Sequence, residues 1–224
     1  FAPSAFDQVI LGCVNVIADE MNPARVAALR LGMGERMVAF TVQINCGSGM
    51  QSIDTAYRYI EAGKADMILA GGAEALSYAP LVFPQSGVRW FAKFATAKDS
   101  LSKIAAFLKV RPSYFKPIIG LERGLTDPIT DLNMGQTAEV VAYLMGVTRE
   151  QADAYSVESH RRLAYAQEHG YLKGEVETAF AGDGKFYDHD DGVRPDSSMD
   201  KLARLKPAFE RPWGQVTPGN SSQI

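Results

Sequence analysis

Two cysteines and three histidines are few for a chain of 224 residues, and neither set is arranged as a recognisable site. Cys13 and Cys46 lie far apart and in different settings, which argues against a disulfide framework. A reducing compartment, cytoplasm or organelle matrix, is expected instead. His160 stands beside Arg161 and Arg162, and His169 falls where a helix ends. His189 belongs to Asp188-His189-Asp190-Asp191, whose irregular spacing reads as a solvated acidic loop rather than a metal site. No Gly-rich phosphate loop, zinc motif or Ser-His-Asp elbow occurs. No signal peptide is visible, and no apolar run approaches the roughly 18 residues of a membrane span. A net charge of −3 gives no bulk attraction to nucleic acid. The sequence begins at Phe1 and stops at Ser221-Ser222-Gln223-Ile224 with no closing helix, so it reads as a fragment of something longer.

What is present is an ordinary globular composition, 46% hydrophobic and 22% charged, enough for one substantial domain or two small ones. Residues 1–80 have an α/β pattern. Phe6 to Ile17 fits helix or strand equally. Pro23 to Leu31 reads as a helix, with proline at its start and Gly32 and Gly34 after it. A β-rich run over 37–44 precedes a helical pattern over 47–62, in which Met50, Ile53, Tyr57 and Ile60 recur at threes and fours. A second strand over 66–70 follows, ended by Gly71-Gly72. Strand, helix, strand in so short a span predicts a βαβ unit and a parallel sheet, with functional residues at the carboxyl ends of the strands.

Residues 81–215 differ. From Ser86 to Gly120 there are seven Lys or Arg against one acid, Asp99, in a chain that is acidic as a whole. Trp90, Phe94, Ala97, Leu101, Ile104 and Leu108 mark one amphipathic basic helix. It fits a helix packed on its own protein, and it fits a membrane surface or a partner subunit. Met134 to Met145 reads as a helix closed by Gly146. Thr148-Arg149-Glu150-Gln151 has the form of a capping box opening a helix that runs to Gly170. Residues 181–198 read as loop or short hairpin, and Val216 to Asn220 as a return to strand and turn.

Cys46 carries the chemistry. It sits in Gln43-Ile44-Asn45-Cys46-Gly47-Ser48-Gly49-Met50, where strand gives way to helix. The positive end of a helix dipole favours a thiolate, and flanking glycines leave room for a substrate to approach. A small buried hydrophobe is the alternative, and it is the reading for Cys13 in its apolar run. No base accompanies Cys46 nearby in sequence.

Five motifs together resemble the thiolase family: Asn45-Cys46-Gly47-Ser48-Gly49; Ala70-Gly71-Gly72-Ala73-Glu74; Gly124-Leu125-Thr126-Asp127 with Asn133-Met134-Gly135-Gln136-Thr137-Ala138-Glu139; Leu205-Lys206-Pro207-Ala208-Phe209; and Thr217-Pro218-Gly219-Asn220-Ser221-Ser222. The resemblance implies an α/β, thiolase-like layered fold. Its parts are an N-terminal domain over 1–80, an inserted, mostly helical loop domain over 81–215, and a return to the first domain over 216–224. It implies thiolysis of 3-ketoacyl-CoA by CoA, through an acyl thioester on Cys46, in fatty acid β-oxidation. Coenzyme A is then a substrate, and no cofactor or metal is implied. For CoA it implies an apolar wall of Leu125, Met134, Ala208, Phe209 and Pro218, a hydrogen bond from Ser222, and Arg194 near the adenine. The Asn133 position is often His in acetoacetyl-CoA thiolases, so Asn suggests a different acyl-chain preference. The family's Gly-His-Pro, Cys-Xaa-Gly and Asn-Glu-Ala-Phe motifs do not occur in these residues. Two alternatives therefore stand: a non-catalytic CoA-binding subunit and a biosynthetic acetoacetyl-CoA thiolase. Family members are dimers or tetramers, paired through the strand here at 37–44. The 86–120 segment resembles the region that trifunctional-type thiolase subunits use at membranes or at hydratase/dehydrogenase partners.

Overall fold

The computed structural model describes residues 1–222; the last two residues of the 216–224 segment lie outside the described residues. The chain forms two compact units, Phe1–Gly124 and Leu125–Ile224. The basic 86–120 segment thus folds with the unit that carries Cys46, and the loop-domain span drawn from 81 divides at Gly124.

The first unit is built on a parallel sheet of β1 (Gln8–Gly12), β2 (Val38–Val42) and β3 (Ile68–Gly72), in the order β2-β1-β3. The ambiguous stretch from Phe6 is therefore the central strand. Val9 pairs with Ala39 on one side and Leu69 on the other. Flanked on both edges, Val9 and Ile10 are almost wholly buried. The crossovers are α1 (Pro23–Arg30) and α2 (Ser48–Glu61). Successive β1 side chains point to opposite faces, and the two helices divide them. Val9 packs with Ala24 and Ala28 of α1. Gly12, of the other parity, meets the start of α2.

Helix α2 presents two unlike faces. Ser48, Ser52 and Ala56, four apart, are its buried residues. Ser52 Oγ lies 2.6 Å from the Gly71 carbonyl oxygen, so the helix rides close on the sheet. The stripe that defined the helix in sequence, Met50, Ile53, Tyr57 and Ile60, points away, at 74%, 60%, 62% and 45% exposure. Periodicity located the helix, but the contact with the sheet is made by small residues, because large ones would hold the helix off.

The single basic helix expected across 86–108 is corrected to two. Helix α3 (Gln85–Thr96) ends at Ala97, whose backbone is extended, and α4 (Ser100–Phe107) begins from Asp99. The Asp99 carboxylate accepts the Ser102 N–H at 2.8 Å, an N-cap that stabilises a new helix start. The expected face splits accordingly. Trp90 stacks on Phe94, meets Phe91 and Phe115 edge-on, and donates its indole N–H to Ala106 O. Leu101, Ile104 and Leu108 are exposed. Short β4 (Leu81–Val82) and β5 (Ile118–Ile119) pair antiparallel at the base of this excursion, and α5 (Gly120–Gly124) follows.

In the second unit, α6 (Met134–Met145) and α7 (Arg149–Glu168) both start from complete capping boxes, Asn133 with Gln136 and Thr148 with Gln151. Gly146 closes α6 in the left-handed conformation. A hairpin of β6 (Ala179–Phe180) and β7 (Phe186–Tyr187) leads to α8 (Met199–Ala203), which packs on α7. The strand expected from Val216 does not form among the described residues; the segment is a turn. The N–H groups at its start are met by a side chain instead: the Glu139 carboxylate accepts those of Gln215 and Val216. Buried Asp153 pairs with Arg149 at 2.7 Å and accepts the Asn220 amide at 2.9 Å.

Candidate active site

All three parallel strands end on the same edge, at Gly12, Val42 and Gly72, and Cys46 lies just beyond the second of these ends. The link from β2 to α2 is only five residues long, and it is tied to itself. Asn45 has φ +52°, in the left-handed region that Asn adopts more readily than most residues. Ser48, buried at the start of α2, accepts the Ile44 N–H at 3.0 Å through Oγ and donates its hydroxyl to Asn45 O at 2.7 Å. The N–H groups of Gly47 and Ser48 donate to Ile44 O and Asn45 O. These bonds close a tight loop with Cys46 at its tip, exposed and uncrosslinked. Cys13 is buried, and burial first, then the Glu74 carboxylate, pushes its thiol pKa up. The two cysteines are therefore chemically distinct, with only Cys46 open to a reagent.

Glycine is required here most at a position outside the nucleophile motif. A Cβ on Gly12 would lie 2.3 Å from the Ser48 carbonyl carbon and 2.6 Å from Gly49 N. Strand β1 thus touches the first turn of α2 backbone to backbone. Gly49 itself faces open space. A second set of bonds converges on this edge. The Glu74 carboxylate accepts the N–H of Val14 at 2.8 Å and of Asn15 at 3.0 Å. Asn15 Nδ2 returns a bond to Ala75 O at 2.9 Å, and Gln43 Nε2 donates to Val14 O at 3.0 Å. In sequence, Gly12, Gln43 and Glu74 carry no individual role: Glu74 closes the Ala70–Glu74 motif, Gln43 opens the run around Cys46, and Gly12 is unmarked.

The residues expected to contact CoA fall in two groups within the second unit. Leu125, Met134 and Phe209 come together at the start of α6. Met134 N–H donates to Leu125 O at 3.2 Å, and the Phe209 ring lies against Gly135, 2.0 Å from where a Cβ would stand. Met134 and Phe209 keep substantial exposed apolar surface. Ala208 is half-buried and donates its N–H to Val216 O. The Asn133 side-chain oxygen accepts the Gln136 N–H at 2.8 Å, so it serves as the α6 cap. The other group is Arg194 and Pro218, which line an open groove of about 310 Å³ with His160, Lys201, Leu202 and Ser221. Ser222 is exposed beside Ser221. Among the described residues no cluster of His, Cys, Asp or Glu is placed to hold a metal; His189 contacts Asp188 on an exposed loop.

A family model described as "Thiolase, N-terminal domain" matches residues 1–224. A probable acetyl-CoA acyltransferase of Staphylococcus aureus (strain COL) is 35% identical over 226 residues, covering 99% of this chain and 52% of its own length. A probable acetyl-CoA acyltransferase of Staphylococcus epidermidis (strain ATCC 12228 / FDA PCI 1200) is 33% identical over the same shares. Of solved structures, the Bacillus anthracis acetyl-CoA acetyltransferase superposes with TM-score 0.84 at 31% identity, over 100% of this chain and 52% of that one. Human mitochondrial 3-ketoacyl-CoA thiolase in complex with CoA does so with TM-score 0.79 at 29% identity, over 96% and 49%. The chain thus spans about half the length of the curated relatives it matches. With the fold, the Cys-Gly-Ser-Gly loop and a family match along its whole length, this chain belongs to the thiolase family, in the region of its N-terminal domain.

Proposed function

We propose that this chain supplies the nucleophile and CoA-binding surfaces of an acetyl-CoA C-acyltransferase that cleaves 3-ketoacyl-CoA with CoA. One observation carries the reading: the exposed Cys46 thiol at the tip of a locked loop, at the carboxyl edge of a parallel sheet and the start of α2. In this reaction the Cys46 thiolate adds to the 3-keto carbon. The C2–C3 bond then breaks, leaving an acyl thioester on sulfur. The electron pair of that bond goes to C2, which takes a proton to give acetyl-CoA. A second CoA thiol displaces Cys46 and yields the shortened acyl-CoA. The reading gives the oxyanion of each tetrahedral intermediate to the backbone N–H of Cys46, the residue before the Gly47 N-cap of α2. The proton transfers need a base that this part of the protein does not bring to Cys46 in sequence. The reading assigns them to the family motifs that these residues lack. Cys46→Ser in the intact protein is expected to abolish thiolysis of acetoacetyl-CoA and longer substrates; full activity in that variant refutes the mechanism.

The reading assigns the pantetheine arm to Leu125, Met134, Ala208, Phe209 and Pro218, with Ser222 as a hydrogen-bond partner. The adenosine end is assigned to the groove at Arg194. A degradative role in β-oxidation predicts that turnover rises with acyl length. A flat dependence favours the biosynthetic acetoacetyl-CoA alternative, and CoA binding without turnover favours a non-catalytic subunit.

Contact with an anionic membrane surface is a second reading, for the basic segment alone. It is favoured by Leu101, Ile104 and Phe107, exposed on α4, and Leu108 at its C-cap, among Lys98, Lys103, Lys109 and Arg111. Binding to anionic vesicles that is unchanged when Lys93, Lys98, Lys103 and Lys109 become Glu refutes it.

A further inference from the structure

We infer that Glu74 and Gln43 act in series as positioning residues for Cys46. The inference rests on the thiolase reading only for its meaning; the geometry stands by itself. From Val42 to Asn45, the nucleophile loop is anchored in two ways. One is local: Ser48 and Gly47 bond back to Ile44 and Asn45, so this anchor moves with the loop. The other comes from the sheet. Cys13 N–H donates to Val42 O at 3.3 Å, and Gln43 Nε2 donates to Val14 O at 3.0 Å. Both partners belong to the turn that follows β1.

Cys13 in that turn is buried, but Val14 beyond it is exposed, so the backbone at Val14 and Asn15 is not held by apolar packing of the Val14 side chain. The backbone N–H groups at Val14 and Asn15 are gathered by one carboxylate, Glu74, in charge-assisted bonds of 2.8 and 3.0 Å. The Cys13 thiol points at the same oxygen pair, 3.8 Å away. Asn15 Nδ2 bonds to Ala75 O, so the turn and the segment after β3 are held reciprocally. Glu74 thus fixes the turn, the turn fixes the Gln43 side chain, and Gln43 fixes the strand exit three residues before the sulfur. A loop that has lost this second anchor keeps its internal shape but can tilt as a body on α2. Misplacing a reacting atom by about 1 Å costs up to about 100-fold in rate.

The series arrangement makes a specific prediction, because breaking either link should release the same anchor. The test measures alkylation by iodoacetamide in the intact protein, read on the Cys46 peptide so that any reaction at Cys13, which touches Glu74, is counted separately. Gln43 is exposed, so Gln43→Met leaves the fold in place; Glu74→Gln removes one acceptor oxygen; Gln43→Lys restores a donor to Val14 O. Expected are changes of threefold or more in the same direction for Gln43→Met and Glu74→Gln, no further change in the double variant, and near-recovery in Gln43→Lys. In parallel, acetylation of Cys46 by acetyl-CoA should slow about tenfold at saturation with the half-saturating concentration unchanged. Unchanged alkylation, additive effects in the double variant, or no rescue by Gln43→Lys would each overturn the inference. If the unsubstituted protein is not acetylated at all, the thiolase reading fails, and the alkylation series still decides the positioning claim.

Discussion

At the scale of single residues, the tightest constraint is the contact between Gly12 and the first turn of α2. Gly12→Ala places a methyl group 2.3 Å from the Ser48 carbonyl carbon. Both sides of that contact are backbone, so neither yields by a rotamer change. The expected cost is about 1–3 kcal/mol, read as a lower urea midpoint, together with slower alkylation of Cys46 as α2 is pushed off the strand. An unchanged midpoint and unchanged alkylation would remove this contact from the account. The residues at the site were unevenly legible. Cys46 stood out because a thiol at a strand-to-helix junction is chemically specific and short-range. Ser48 was visible only as a spacer between glycines, although its hydroxyl closes the loop on both sides. Gly12 and Glu74 could not be read at all from spacing, because their partners are 36 and 60 residues away in the chain or close to it, at Ser48 and Val14. Contacts of that separation exist only once the sheet has set its register.

At the scale of elements, α2 shows what hydrophobic periodicity reports. Its apolar stripe correctly marked a helix but not the face that meets the sheet. Two substitutions separate the faces. Ile53→Ala, on the exposed stripe, should change the stability of this chain by no more than about 0.5 kcal/mol, whereas Ala56→Leu, against the sheet, should cost about 1–3 kcal/mol in a denaturant titration. The opposite ranking would mean that the stripe is the packed face. The break between α3 and α4 was signalled by one residue, Asp99. The amphipathic pattern outweighed it because that pattern continues in phase through the break. On α7, Glu158 accepts from both Arg161 and Arg162 at 2.7 Å, and these bonds lower its pKa from 4.5 to about 2. A carboxylate with a depressed folded pKa contributes stability above its unfolded value and loses it as pH falls through the folded one. The helix should therefore keep these pairs at pH 4.5 and lose them near pH 2. A side-chain carboxyl NMR titration of Glu158 centred at 4.5 would contradict the bonding.

At the scale of the whole chain, the βαβ unit over 37–70, its parallel pairing and both capped helices of the second unit were readable because each is specified by local pattern (period, caps and glycine stops), whereas the central strand β1 was not told from a helix. The division at Gly124 was not, because charge and aromatic content change near 81 while the chain returns to pair Leu81–Val82 with Ile118–Ile119 before leaving the first unit. The Val216 strand failed for a related reason: its N–H groups meet a carboxylate, Glu139, instead of a neighbouring strand. The whole account turns on Cys46 forming a covalent acyl intermediate. Incubating the intact protein with acetyl-CoA, quenching in acid and mapping peptides by mass spectrometry tests this directly. The account predicts one added acetyl group, on the peptide containing Cys46 and absent in Cys46→Ser; turnover of substrate with an unmodified Cys46 peptide, or acetyl retained in the serine variant at another residue, would contradict it.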